Sequence, residues 1–189
     1  MDGKDMQKKP NWLLIIGLSL GGLCLLGCVA VAALFLFSPS PNQASLDSSS
    51  LSVGVPAPDF ELTALKGGTV RLSGYRGHPV LLSISTTWCP DCRSEAPILE
   101  NMHKAHPELA VLAVDSRERS TTVQGFVQAF GITYPVLLDT DGKVSNLYQV
   151  MYIPTNLFID QDGVIRAKIV ETVTPQLMDK YLPQIGITP

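Results

Sequence analysis

Thr87-Trp88-Cys89-Pro90-Asp91-Cys92-Arg93-Ser94-Glu95-Ala96-Pro97 is the stretch around which the rest of the chain is read. It follows Val80-Leu81-Leu82-Ser83-Ile84-Ser85, an apolar run that reads as a buried strand. It opens a segment, roughly Cys92 to Ala105, in which Ala96, Leu99, Met102 and Ala105 recur at helical spacing. Two cysteines therefore stand at a strand-to-helix junction, with Cys89 at or just before the first turn. Unpaired N–H groups and the positive end of the helix dipole favour a thiolate at such a place. Pro90 suits the first helical position, where its missing N–H costs nothing. Thiols one turn apart can close a disulfide without unwinding the chain. The stretch reads as a redox site whose working group is a Cys89–Cys92 disulfide, with no further cofactor.

The 189 residues suffice for one domain with appendages, and that domain can bury a core of its own. A net charge of −3 without a basic stripe argues against nucleic acid as a partner. The four cysteines fall into two pairs, Cys24/Cys28 and Cys89/Cys92, in different surroundings, which argues against a structural disulfide framework.

Toward the N-terminus, residues 1–11 are polar and carry Lys4, Lys8 and Lys9. From Trp12 to Phe37 runs a stretch of 26 residues without a charge. As a helix it would be roughly 39 Å long, enough to cross about 30 Å of hydrocarbon with some tilt. Trp12 sits at one edge, where aromatic rings prefer the interface. No Lys or Arg follows until Lys66, so charge bias puts residues 1–11 in the cytoplasm and everything after the span outside. A cleaved signal peptide would have a shorter apolar region and a small-residue site. Leu25-Leu26-Gly27-Cys28 loosely resembles a lipoprotein signal, but the apolar run continues well past Cys28. Residues 38–52, rich in Ser and Pro, read as a flexible linker, and residues 53–189 as the folded domain.

Within that domain, Asp59–Thr63 and Thr69–Leu72 are strand-like runs around Lys66-Gly67-Gly68, a hairpin signal. Leu109 to Val114 is apolar throughout, as in buried parallel strands. Asp115 to Arg119 reads as a charged loop, and Ser120 or Thr121 as the cap of a helix that Gly131 stops. Val136–Leu138 reads as a strand, Val144–Val150 as a short helix, Thr155–Ile159 and Val164–Val170 as paired strands, and Pro175–Leu182 as a last helix. Asp139-Thr140-Asp141-Gly142 and Asp160-Gln161-Asp162-Gly163 put glycine fourth rather than sixth, which suits hairpin turns and not calcium loops. The pattern is that of an α/β sandwich with a mixed sheet.

These residues resemble thioredoxin: Trp-Cys-x-x-Cys after a buried strand, Pro97 in the following helix, and Ile153-Pro154-Thr155 before another strand. More narrowly, Cys89-x-x-Cys92-Arg93-x-Glu95-x-Pro97, the opening Pro56-x-Pro58-Asp59-Phe60 and a strand–helix insertion near 109–131 are similar to the membrane-anchored TlpA/ResA type of thiol–disulfide oxidoreductase in the redoxin (AhpC-TSA) superfamily. The resemblance implies a thioredoxin-like fold: a mixed central sheet flanked by helices, with an N-terminal β-hairpin and the insertion, preceded here by one transmembrane helix. It implies an extracytoplasmic role in reducing or exchanging protein disulfides, with cytochrome c maturation as one setting. It also implies a cis bond before Pro154, Ile153 pairing its backbone with substrate, and an acid at Glu95. Ser83 departs from the pattern, standing where thioredoxin keeps a buried Asp, so Glu95 would supply the acid/base group alone.

Within this reading Cys89 is the nucleophile and Cys92 resolves the mixed disulfide. Glu95, three residues on, exchanges a proton with Cys92. Trp88, Pro90, Ile153 and Pro154 contact the substrate, with Trp88 shielding the disulfide. Asp91 between the thiols opposes thiolate formation and speaks against a strong oxidant. The expected partners are protein disulfides, a membrane electron donor and, through residues 12–37, the bilayer; the domain is expected to be monomeric. Three other readings are weaker. Zinc would need a second ligand pair. Copper delivery would want CxxxC and a distal His, yet no His follows His106. A peroxiredoxin would want Pro where Leu82 stands, although Thr86 matches. From another class, the domain could be a non-catalytic module that binds unfolded partners.

Overall fold

The computed structural model describes residues 51–188. The expected cytoplasmic segment 1–11, the span 12–37 with Cys24 and Cys28, and nearly all of the linker lie outside the described residues. Among the described residues no helix is long and apolar enough to cross a membrane.

Seven strands form one mixed sheet. In chain order they are β1 (Glu61–Ala64), β2 (Thr69–Arg71), β3 (Val80–Ser85), β4 (Ala110–Ser116), β5 (Val136–Asp139), β6 (Thr155–Ile159) and β7 (Ile165–Ile169). Across the sheet they run β2-β1-β5-β4-β3-β6-β7. The centre, β5-β4-β3, is parallel, and the pairs toward both edges are antiparallel. The helices are α1 (Pro90–Ala105), α2 (Ser120–Phe130), α3 (Lys143–Leu147) and α4 (Pro175–Tyr181). α1 lies between β3 and β4, and α2 between β4 and β5, which is how parallel neighbours must be joined.

The sheet buries both faces. On one, Leu81, Val111, Ala113 and Phe158 pack with Ala96 and Leu99 of α1, Val123 of α2 and Met178 of α4. On the other, Leu82, Ile84, Leu112, Val114 and Leu157 pack with Phe60, Val144 and Tyr148. Covering on both sides explains why β3 and β4 read as unbroken apolar runs rather than alternating ones. Leu51, inside the expected linker, is partly buried against the second cluster.

Several local expectations are revised. Asp115 and Ser116 finish β4 instead of opening a loop, and Asp115 is buried. Neither Ser120 nor Thr121 caps α2: Arg119 occupies the N-cap, and its carbonyl, not a side chain, accepts the first N–H groups. Asp139–Gly142 does not close a hairpin. It turns β5 into α3, where the buried Asp139 carboxylate accepts the N–H groups of Val144 and Ser145. The Asp160–Gly163 turn does join β6 to β7, with Asp160 Oδ1 accepting two backbone N–H groups. Gly67 and Gly68, both at positive φ, make the β1–β2 turn as the sequence suggested, and left-handed Gly131 ends α2.

α1 runs unbroken from Pro90 to Ala105 through Pro97, whose ring faces solvent. It is tied to the β5 side by Glu100. That buried carboxylate accepts the Thr133 N–H at 2.8 Å and the Thr133 hydroxyl at 2.6 Å, and pairs with Lys104 at 3.0 Å. Burial alone would raise its pKa, but the Thr133 bonds and Lys104 outweigh that and bring it down to about 2. A depressed carboxyl stabilises the fold above its unfolded pKa and loses that contribution as pH falls through the folded one. Glu100→Ala should therefore cost about 3 kcal/mol in urea unfolding at neutral pH. The gap to wild type should hold down to about pH 5 and close as the pH approaches 2.

Candidate active site

β3 lies inside the sheet between β4 and β6, and its C-terminal end leads into Thr86-Thr87-Trp88. Cys89 follows as the N-cap of α1, with extended backbone (φ −72°, ψ 122°), and Pro90 is the first helical residue. The cap position usually holds a side-chain oxygen that accepts an N–H of the first turn. Here the Cys89 sulfur does so, accepting the Cys92 N–H at 3.3 Å. The Cys89 thiol donates in turn to the Ile153 carbonyl at 3.8 Å. The next peptide bond, Ile153–Pro154, is cis, as the resemblance implied. Both cysteines are in the dithiol form, Cys89 5 % and Cys92 4 % exposed.

The surroundings divide in two. Outward lie large apolar side chains left in solvent: Trp88 (68 % exposed), beside Cys89, and Met151 and Tyr152 (83 % and 69 %), which lead into Ile153. Trp88 is thus no core residue, and it lies open rather than folded over the thiols. Pro90 and Asp91 are exposed on the same helix start. Arg93 donates to the Thr87 carbonyl at 3.2 Å and stacks on Phe126 and Phe130 of α2, ring centroids 5.8 and 5.0 Å away.

Inward lie acids. Glu95 is 1 % exposed, not a surface carboxylate. Ser83 donates weakly to its Oε1 at 3.4 Å, and Oε2 has no hydrogen-bond partner. Burial pushes the Glu95 pKa up to about 7, against the smaller downward pull of the Asn156 amide, the Val173 N–H and the Ser83 hydroxyl; Asp91 adds a small rise. Cys92 is pushed well above the ordinary thiol range by burial first, then by its contact with Cys89 and the nearby Glu95 charge. A buried thiol held this firmly protonated can react only if a base beside it takes the proton. Glu95, which titrates near neutrality, is matched to that task.

The structure thus brings together Cys89, Cys92, Glu95, Ile153 and Pro154, and leaves Trp88 and Pro90 on the open rim. It adds residues the sequence did not single out. Glu118 reaches back from the loop after β4, its carboxylate accepting the Thr87 N–H and hydroxyl at 2.5 and 2.7 Å. Asp115 and Ser85 line the same small cavity as Cys92 and Glu95. Nothing in local patterning marks a polar residue ending an apolar strand as internal. Only the alternation of Ala113 and Asp115 on one face, with β4 fixed beside β3, could have found it. Among the described residues no group of three or more His, Cys, Asp or Glu is arranged to hold a metal.

A mixed sheet with a helix-capping CxxC thiol against a cis-proline bond defines a thioredoxin-like thiol–disulfide oxidoreductase, one that works through its cysteine pair without a separate cofactor. The chain belongs to the AhpC/TSA family, whose model matches residues 53–168. It is 36 % identical over 141 residues to a thiol-disulfide oxidoreductase ResA of Geobacillus kaustophilus, covering 74 % of this chain and 81 % of that one. It is 30 % identical over 179 residues to the ResA of Bacillus subtilis, covering 94 % of each. Among solved structures it is similar to a putative thiol:disulfide interchange protein DsbE from Chlorobium tepidum, with TM-score 0.68 and 28 % identity over 72 % of this chain and all of that one.

Glu95 carries a stability signature. Its folded pKa lies above its unfolded one, so the folded state holds a proton the unfolded chain has released, and wild-type stability drains away as pH rises from about 4.5 to about 7. Glu95→Gln removes that cost. Thermal or urea unfolding should find the variant equal to wild type near pH 4 and more stable by up to about 3 kcal/mol above pH 8.

Proposed function

We propose that the protein is an extracytoplasmic, membrane-tethered reductant of protein disulfides, acting through the Cys89-Pro-Asp-Cys92 dithiol. The observation that carries this reading is the placement of the Cys89 sulfur. It lies between the first turn of α1 and the Ile153 carbonyl, at the foot of an exposed apolar rim. An extended peptide laid along Met151–Ile153 would pair with the Ile153 backbone while Trp88 and Tyr152 cover its apolar side chains. Cys89 attacks one sulfur of the substrate disulfide as the thiolate. The S–S bond breaks, a Cys89–substrate disulfide forms and the departing thiolate takes a proton from water. Cys92 then gives its proton to Glu95 and attacks the Cys89 sulfur. The Cys89–Cys92 disulfide forms, and the second substrate thiolate leaves and is protonated. Two electrons and two protons have passed to the substrate, and a membrane-borne dithiol donor must return the electrons.

The tether rests on the charge-free run 12–37, with Lys4, Lys8 and Lys9 before it and no Lys or Arg until Lys66. The alignment with the Bacillus subtilis ResA, spanning 94 % of each chain, reaches into that run and supports this reading. The N-terminus would face the cytoplasm and the domain the outside, as a monomer. Apocytochrome c, with its paired cysteines, is the substrate class the family resemblance offers. Asp91 beside the thiols and the buried, poorly solvated acids favour a reducing potential, nearer the roughly −270 mV of thioredoxin than the roughly −120 mV of strong oxidants.

Insulin disulfide reduction tests the core of this. Wild type should be active and Cys89→Ser and Cys92→Ser both dead; equal turnover in all three would mean a passive binding module. With Cys92→Ser the Cys89–substrate disulfide should accumulate and be visible on a non-reducing gel. Trp88→Ala should lower kcat/KM for a protein disulfide about tenfold, roughly the worth of one aromatic anchor, while leaving the rate with a small aromatic disulfide nearly unchanged. In intact cells a membrane-impermeant thiol reagent should label Cys89.

A further inference from the structure

Asp115 is a buried acid that the exchange chemistry described so far does not use. It lies on β4 opposite Ser85 of β3, on the face that α1 covers. It shares with Ser83, Ser85, Cys92 and Glu95 a cavity of about 20 Å³, and a buried water needs about 10–15 Å³ with two to four polar partners. Two carboxyl oxygens of these residues, Glu95 Oε2 and Asp115 Oδ1, are buried without a hydrogen-bond partner. The remaining lining is apolar apart from Tyr134, and no basic side chain is part of it. On its outer side Asp115 meets Glu118, which is half-exposed and holds Thr87. Burial pushes Asp115 up to about 8, and the charge and hydrogen bonding of Glu118 push the same way, so Asp115 holds its proton at neutral pH.

We infer that Asp115 is a proton-handling positioning residue of the oxidoreductase site, linked through one water in this cavity to Glu95 and Cys92 and through Glu118 to solvent. The inference rests on the proposed exchange chemistry. When Cys92 closes on Cys89, the Cys92 proton moves to Glu95, the Glu95 proton passes through the water to Asp115, and the proton Asp115 already held moves out to Glu118. Glu118 then returns that proton to bulk solvent. No electrons move in the relay: one S–H proton leaves Cys92, and one proton appears outside. The titratable groups facing Asp115 are Glu95 and Cys92 from α1, Glu118 from its own loop and Tyr134 across the cavity.

Mixing the reduced protein with an aromatic disulfide that releases a coloured thiolate separates the steps. The first thiolate reports attack by Cys89, and the second reports closure by Cys92. In Asp115→Asn the second phase should slow at least tenfold at about pH 7–8 and lose its pH dependence near 8, while the first phase keeps its wild-type rate and profile. A second phase unchanged in rate and profile would overturn the inference; so would equal slowing of both phases, which marks a structural role. Should the variant not fold, oxidised-minus-reduced infrared spectra of wild type labelled with ¹³C-aspartate must show a protonated carboxyl band that changes with redox state, and its absence overturns the inference as well. Failure of the underlying reading looks different: wild type would give no first phase above that of Cys89→Ser.

Discussion

The site depends on β3 having β4 on one side and β6 on the other. β3 pairs antiparallel with β6, Ile84 opposite Thr155 and Ser83 opposite Asn156, and this brings the residues just before β6 alongside those just after β3. Cys89 and Ile153 are 64 positions apart, yet the thiol and the carbonyl touch because that register leaves them nowhere else to be. The parallel pairing of β3 with β4 acts likewise on the inner side, setting Ser85 against Asp115. A slip of one residue in either pairing would turn every side chain of the strand to the opposite face. The buried apolar side chains on both faces of β3 and β4 forbid that slip, so the core fixes the chemistry.

What the core encloses there is costly. Glu95 and Asp115 are both buried, and no cation lines their cavity. An ionised carboxylate taken from water without a partner is among the more destabilising things a fold can hold, and a shifted pKa is how the protein avoids most of that cost. Glu100, a buried acid five residues further along the same helix, behaves in the opposite way because Thr133 and Lys104 satisfy it. The contrast separates two uses of one residue type. Glu100 holds α1 in place as a permanent anion, whereas Glu95 can gain and lose a proton near neutrality.

Much of this was legible in the sequence. The strand Val80–Ser85, the helix start at Pro90 and the strand Thr155–Ile159 follow from an apolar run, a proline at the first helical position and a β-rich segment after Pro154. These are local signals. The burial of Asp115 was not legible, because it comes from the neighbouring strand and the helix above, neither of which leaves a mark within a few residues of it. For the same reason Glu118 looked like one charge in a charged loop, though it holds Thr87 from 31 positions away. Ser120 was misread as a cap, and Asp139–Gly142 as a hairpin turn, because a polar residue near a helix start competes with others nearby. The winner depends on the backbone of the preceding strand, and at α3 the strand-ending Asp139 reaches the free N–H groups first.

The placement of the acid has a mechanical consequence. With Ser83 on the strand and the carboxyl on α1, the group proposed to take the proton rides on the same helix as the thiol proposed to release it, one turn away. Any small motion of the helix start, as the sulfur moves from thiol to disulfide, carries donor and acceptor together, and their separation is preserved. An acid on the sheet is fixed to a different body, so its distance to Cys92 changes with that motion. Asp115 is such a sheet-borne group, and a water between it and α1 is the kind of contact that tolerates the change, since a bridging molecule can shift where two carboxyls cannot. The helix acid is therefore suited to the direct transfer, and the strand acid to communication with solvent.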